Sequence, residues 1–311
     1  MQNQTSVAEF FLVGLSRSLK VRLILFGLFS VVYTITLAGN TIILMLIWLD
    51  SRLHTPMYFF LSHLSCVDIC YTSSTIPQML VNLQHPRQTI STIGCIVQMH
   101  VFLSLAITEC ILLAVMAYDR YVAICQPLHY TFLMNPRACF TLALTSWACG
   151  FLLPVLHTSL TWSLPFCGPN LIDHFFCEMP AVLKLACADT NIIENVTLLG
   201  CIFTLITPTS FIMMTYVRIL RAISKTKSAH SRGKAFSTCG SHITVVVLFY
   251  GSAMFMYMRP SSSHSPEQDK IVSLFYSIII PMFNPLIYSL RNKEVKEALI
   301  KTLQHCRASA M

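Results

Sequence analysis

Seven long apolar runs dominate this chain, at about 23–49, 57–80, 93–121, 138–160, 197–220, 236–258 and 270–290. Each holds about 20 residues or more, enough at about 1.5 Å of helical rise per residue to cross roughly 30 Å of hydrocarbon. In lipid a backbone must satisfy its own amides and carbonyls, so such runs fold as helices. They leave no room for a separate soluble domain: 55% of the residues are hydrophobic and 11% are charged, where a soluble domain carries about 25% charge. The expected fold is an all-α seven-transmembrane helix bundle forming one domain over 1–311, preceded by residues 1–22 and followed by a tail, 291–311.

The first 22 residues contain only a short apolar run, Phe10 to Leu15, and no signal-peptide pattern, so the first span is expected to act as signal anchor. With an external N-terminus, 14 of the 21 basic residues fall on the cytoplasmic side, most of them in Arg218–Lys234 and Arg291–Arg307. That agrees with the positive-inside rule, although Arg17, Lys20 and Arg22 before the first span favour the reverse. The net charge of +8 is then inner-leaflet charge facing membrane lipid and a cytoplasmic partner, not a nucleic-acid footprint. Asn3-Gln4-Thr5 is an N-glycosylation sequon on the lumenal side in this orientation. After the last span, Val295, Ala298, Leu299, Thr302 and Leu303 recur at helical spacing, the mark of a short amphipathic helix on the inner leaflet, with Cys306 beyond it as a palmitoylation candidate.

Charged side chains inside spans are costly and tend to be functional. Asp68 lies in the second span and Glu109 in the third, with Asn40, Ser65 and Asn284 as polar neighbours, and either a sodium ion or a hydrogen-bonded polar knot would satisfy them. Asp119-Arg120 closes the third span as a candidate switch. Prolines 77, 154, 208, 281 and 285 interrupt the spans and mark hinges or water-accessible cavities. Cys95, Cys167, Cys177 and Cys187 fall on the external side, where oxidation is permitted. Four cysteines allow three connectivities; the favoured one joins Cys95 to Cys177, tying the outer loop across the bundle mouth, and Cys167 to Cys187, closing that loop on itself. The loop is long enough to be a lid. A metal site from His174, Cys177 and Glu178 is disfavoured because the cysteine serves better in a disulfide.

Asn40, Asp68, Asp119-Arg120-Tyr121 and Asn284-Pro285-Leu286-Ile287-Tyr288 resemble the rhodopsin-like G-protein-coupled receptors over the whole chain. More narrowly, Pro56-Met57-Tyr58-Phe59-Phe60-Leu61, Met116 to Cys125, Lys234-Ala235-Phe236-Ser237-Thr238-Cys239 and Pro281-Met282-Phe283-Asn284-Pro285 are similar to the mammalian odorant receptors. Thr215 before Tyr216, where that family usually has serine, and Gly240, where alanine is common, are small departures.

The resemblance implies a receptor, not an enzyme, that binds a small volatile molecule among spans 3, 5, 6 and 7. It would activate the olfactory heterotrimeric stimulatory G protein to raise cyclic AMP, at the plasma membrane of olfactory cilia. Tested against that implication, Phe102, Leu103, Ala106 and Ile107 share a face of span 3, as do Tyr250, Ala253, Met254 and Tyr257 of span 6. Cys201, Thr204 and Leu205 of span 5, with Leu274 and Ser277 of span 7, would complete the wall. Residues 96–108 hold no carboxylate or amine, so the expected ligand is neutral and largely hydrophobic. His100 could hydrogen-bond such a ligand but more often would face an aqueous vestibule. Asp119 would hold Arg120 inward until ligand moves spans 6 and 7, with Tyr250 as relay and Tyr121, Tyr216, Asn284, Pro285 and Tyr288 around the switch. Rival readings are a receptor for a non-odorant ligand elsewhere in the body and an ion-coupled transporter, the latter disfavoured by the lack of an internal repeat. The sequence assigns no cofactor beyond the candidate sodium ion, and no oligomeric state.

Overall fold

The computed structural model describes residues 8–85, 87–167, 169–225, 229–259, 265–290 and 293–309. Its long helices are α1 (Leu19–Leu49), α2 (Pro56–Gln84), α3 (Thr92–Cys125), α4 (Pro136–Trp162), α5 (Asn191–Lys225) and α6 (Ala229–Tyr257). The next, α7, runs from Pro266–Leu274 through a π-helical turn, Phe275–Ile279, into Ile280–Leu290; α8 is Lys293–Ser309. A second π turn, Ile202–Ile206, interrupts α5 above Pro208. Side chains of Asn3, Lys234 to Thr238, Arg291 and Cys306 lie outside the described residues.

The helices overrun the apolar runs at most ends, because helical pairing continues past the hydrocarbon. Among the described residues, six are long and apolar enough to cross a membrane, all but α2 of the first seven. The reason for the exception is local: α2 buries Ser65, Asp68, Thr72, Thr75 and Asn82 between its neighbours, and these lower its mean hydropathy without shortening it. Lipid-facing positions elsewhere are large and apolar, as at Leu152, Phe203 and Trp48. Close packing inside the bundle depends on small residues. At Gly150 of α4 a Cβ would lie 1.9 Å from Thr108 Oγ1 and 2.8 Å from the Ser104 carbonyl of α3, so only glycine lets these helices meet.

The end of the bundle at Cys95, named the outer end after the expected orientation, carries a feature absent from the sequence reading. Strand β1 (Glu9–Leu12) pairs antiparallel with β2 (Thr89–Ser91) and parallel with β3 (Leu171–Ile172), in the order β2-β1-β3. Phe10 and Leu12 point inward by strand alternation and form a second small core with Ile90, Ile172, Cys177 and Val182. The Phe10–Leu15 run thus belongs to a cap. Arg22 turns away from solvent and donates to the carbonyls of Asn82, Leu83 and His85, the unpaired end of α2. One of the three basic residues that weighed against an external N-terminus is therefore a helix cap. At the inner end, α8 buries Val295 and Ala298, and Glu294 accepts from Tyr58 at 2.7 Å.

Candidate functional site

A cavity of about 370 Å³ lies in the outer half of the bundle. Leu103, Ala106 and Ile107 of α3 form one wall, Cys201, Thr204 and Leu205 of α5 another, and Ala253 and Tyr257 of α6 a third. The fourth wall corrects the expectation. It comes from α4, through Leu153, Pro154, Leu156 and His157, and not from α7.

Five expected wall residues sit elsewhere. Phe102 is one residue from Leu103, hence about 100° round the helix, and its ring stacks on Tyr71 at 4.5 Å and packs near Phe176 and Tyr276. This aromatic cluster fills the space between α3 and α7, which keeps Leu274 and Ser277 off the cavity. Ser277 instead donates to the Ser273 carbonyl, and Leu274 and Met254 pack against the core. Tyr250 is buried behind the wall and donates to the Cys110 carbonyl at 2.6 Å. His100 does not open to a vestibule; it pairs with Thr158 of α4 at 3.2 Å.

The roof is the loop between α4 and α5. The structure joins Cys95 to Cys177, with Cα atoms 5.3 Å apart, and Cys167 to Cys187, at 5.8 Å. Gln98 braces the first link, accepting from the Cys177 amide at 2.9 Å and donating to the Ser74 carbonyl at 2.8 Å. Next to the disulfide, Glu178 is 1% exposed and accepts from Tyr257 of α6 at 3.0 Å and from Ser273 of α7 at 2.8 Å, and also from Tyr276 of α7. Burial pushes its carboxyl up to about 7 against the hydroxyl donors, which pull it down. His174 lies 3.2 Å from it, and burial with nearby Lys270 lowers the imidazole to about 3, so it stays neutral. Because His174 Nδ1 accepts the Phe176 amide at 3.4 Å, the ring proton sits on Nε2, facing Glu178. Tyr257 and the adjoining Met179 also line the cavity, so roof and wall share side chains.

Midway through the bundle, Asn284 donates to both oxygens of Asp68, at 3.0 and 3.1 Å. Asn40 donates to the carbonyls of Thr36 and Pro281, and Pro285 packs on Gly39, where a Cβ would come within 3.2 Å. Neither oxygen of the fully buried Glu109 accepts a well-formed hydrogen bond from a described residue, and the side-chain oxygens of Asn40 and Asn284 are likewise left over. Among the described residues no three His, Cys, Asp or Glu side chains cluster as metal ligands.

At the inner end, Asp119 accepts from Tyr130 at 2.9 Å, and burial, with the Asp119 charge, raises the Tyr130 phenol well above its usual range. Arg120 is buried against the Tyr216 hydroxyl and the Cys239 thiol. Tyr121 accepts from Arg218 at 3.4 Å, and the Tyr288 hydroxyl is buried without a hydrogen bond to a described residue. His242 of α6 joins two helices, Nε2 meeting the Leu113 carbonyl at 3.1 Å and Nδ1 the Tyr216 hydroxyl at 2.8 Å. A carbonyl only accepts, so Nε2 is the protonated nitrogen and Tyr216 donates to Nδ1.

The olfactory receptor family model matches residues 29–306. The chain belongs to the olfactory receptor family. Its relatives include human olfactory receptor 2A1/2A42, 55% identical over 302 residues with 97% of each chain covered, and human olfactory receptor 2A5, 54% identical over 303 residues with the same coverage. Mouse olfactory receptor 2A7 is 53% identical over 306 residues, 98% of this chain and 99% of its own. The protein is therefore a multi-pass membrane receptor of the G-protein-coupled class that takes odorants, and not an enzyme. Two residues of this odorant receptor escaped the sequence reading as site residues, His157 and His242, while Glu178 was weighed only as a metal ligand. For all three, only the fold reveals what the polar group meets.

Proposed function

We propose that this receptor binds a small, neutral, largely hydrophobic odorant in the cavity between α3, α4, α5 and α6 and activates the stimulatory G protein, raising cyclic AMP. One observation carries the reading: the cavity is of small-molecule size, walled almost wholly by apolar side chains, and holds no carboxylate or ammonium to pair with a charged ligand. The roof then faces the cell exterior, with the N-terminus external and Asn3 glycosylated, and the Arg120 end faces the G protein. Arg22 acting as a helix cap removes part of the charge argument against that orientation. In the ciliary membrane, ligand pressing on Ala253 and Tyr257 would favour an arrangement of α6 in which Arg120 is released from Tyr216. The ligand shifts the balance only by its differential affinity for the two arrangements. Glu109 and Asn284, beside Asp68, offer leftover oxygens of the kind a sodium ion takes, and such an ion would balance the charge of one of the two carboxyls.

The test is a cyclic-AMP reporter assay in cells displaying the receptor, with a panel of neutral odorants. At least one should elicit a response, and Ala106→Phe, which fills the cavity, should abolish it at unchanged surface level. Silence across the panel despite surface display, or a full response from Ala106→Phe, would overturn the reading.

A further inference from the structure

The polar side chains of the cavity wall are few, and most are already engaged. Thr197 Oγ1 donates to the Ile193 carbonyl and Thr204 Oγ1 to the Gly200 carbonyl, each at 2.8 Å. Tyr257 gives its proton to Glu178 at 3.0 Å, and the Cys201 thiol leans on the Tyr257 carbonyl at 3.8 Å. His157 differs. Among the described residues its imidazole makes no hydrogen bond; only its main-chain carbonyl is engaged, by Thr161 Oγ1 at 2.8 Å. The ring is half-buried in the wall, with Leu153, Pro154 and Leu156 of the same helix presenting nothing polar beside it.

Gly200 of α5 makes room for it. A Cβ there would lie 2.9 Å from both Cε1 and Nε2 of His157, so the ring occupies space that any larger residue would take. A neutral imidazole offers one donor and one acceptor, and leaving both unpaired in an apolar wall costs free energy that a ligand's polar atom recovers.

We propose that His157 is the residue by which this cavity selects its ligands, through a hydrogen bond to a single oxygen function, so that the agonists are alcohols, aldehydes, ketones or esters on an apolar skeleton. The proposal rests on the cavity being the odorant site. A hydroxyl would use the acceptor nitrogen and a carbonyl the donor, so one side chain serves both classes. Acids and amines are excluded because the wall holds no opposite charge.

The test separates a hydrogen bond from packing. His157→Phe keeps the ring shape without its nitrogens; His157→Gln keeps a donor and an acceptor but not the shape. Dose responses to oxygenated agonists found for the unaltered receptor are measured in both, with surface level read by an N-terminal epitope. A hydrogen bond predicts that potency falls about tenfold in His157→Phe and stays within about threefold in His157→Gln. Phe retaining potency as well as or better than Gln, or no loss in either, overturns the assignment. Gly200→Ala, which displaces the ring without removing it, gives an independent reading should His157→Phe fail to reach the surface: potency for oxygenated agonists should fall, and unchanged potency counts against the proposal. Ala106→Phe separates the two levels: if it silences the receptor while the His157 variants are neutral, only the hydrogen bond fails; if it leaves signalling intact, the cavity itself is the wrong site.

Discussion

Glu178 gives the receptor's outer end a pH dependence whose sign and size can be worked out. The carboxyl titrates near 7 in the folded protein, against 4.5 when unperturbed. A carboxyl with a raised folded value binds its proton more tightly when folded, so its contribution is complete below about 4.5 and is lost as pH rises through about 7. Full ionisation then costs the folded state about 3 kcal/mol at 1.36 kcal/mol per pKa unit, and about 2 kcal/mol of that falls between pH 5.5 and pH 8. Glu178→Gln has nearly the same volume and does not titrate. Purified receptor melted with a cysteine-reactive dye should therefore unfold a few degrees higher at pH 5.5 than at pH 8, over and above whatever difference Glu178→Gln shows. His174 cannot supply the effect: lowered from 6.5 to about 3 on folding, it opposes it, costing stability as pH falls through 6.5, and it is common to both proteins. Identical pH slopes in the two proteins would refute the assignment.

Three further outcomes follow from the packing. Cys95→Ser and Cys177→Ser should lose equal surface expression, with the double variant no worse, because the pair closes an 82-residue separation worth about 4.5 kcal/mol of chain entropy; unequal losses by flow cytometry would argue against the link. Gly150→Val should cost about 1–3 kcal/mol by overpacking α3 against α4, seen as a lower melting temperature, and an unchanged melt would contradict the close approach at Thr108. His242→Phe, losing two buried hydrogen bonds worth about 1 kcal/mol each, should raise cyclic AMP in the absence of odorant by up to about thirtyfold; unchanged basal signalling at normal surface level would mean that His242 does not restrain α6.

Most of the bundle was legible because lipid imposes a simple rule on long apolar runs. The outer sheet was not, since β1 is four residues long and its partners lie far away in sequence, a pairing that no local periodicity announces. The cavity wall was legible to within one helical face. Spacing grouped Phe102 with Leu103, Ala106 and Ile107, yet a hundred degrees separates the first two, and only the Tyr71 ring decides which of them turns away. For α4 there was no signal: Leu153 and Leu156 are both 47% or more exposed while bordering the cavity, and nothing in an apolar run tells such leucines from those that face lipid alone.

The proposed link between cavity and switch rests on α6 being pinned to α3 at two heights. Tyr250 holds the Cys110 carbonyl, and Cys110 also lines the cavity; His242 holds the Leu113 carbonyl and, through Tyr216, the surroundings of Arg120. Both carbonyls lie within one turn of α3, while the two side chains that reach them lie more than two turns apart on α6. They converge because a tyrosine and a histidine reach the same short stretch of α3 from opposite directions along an antiparallel neighbour. A displacement of α6 at Ala253 therefore strains the upper pin first, and the lower one yields only if α6 moves as a rigid rod. The pairing of Tyr216 with His242 would then couple that motion to α5, so that, in the proposed mechanism, ligand contact above Tyr250 and the setting of Arg120 below it are two readings of the position of one helix.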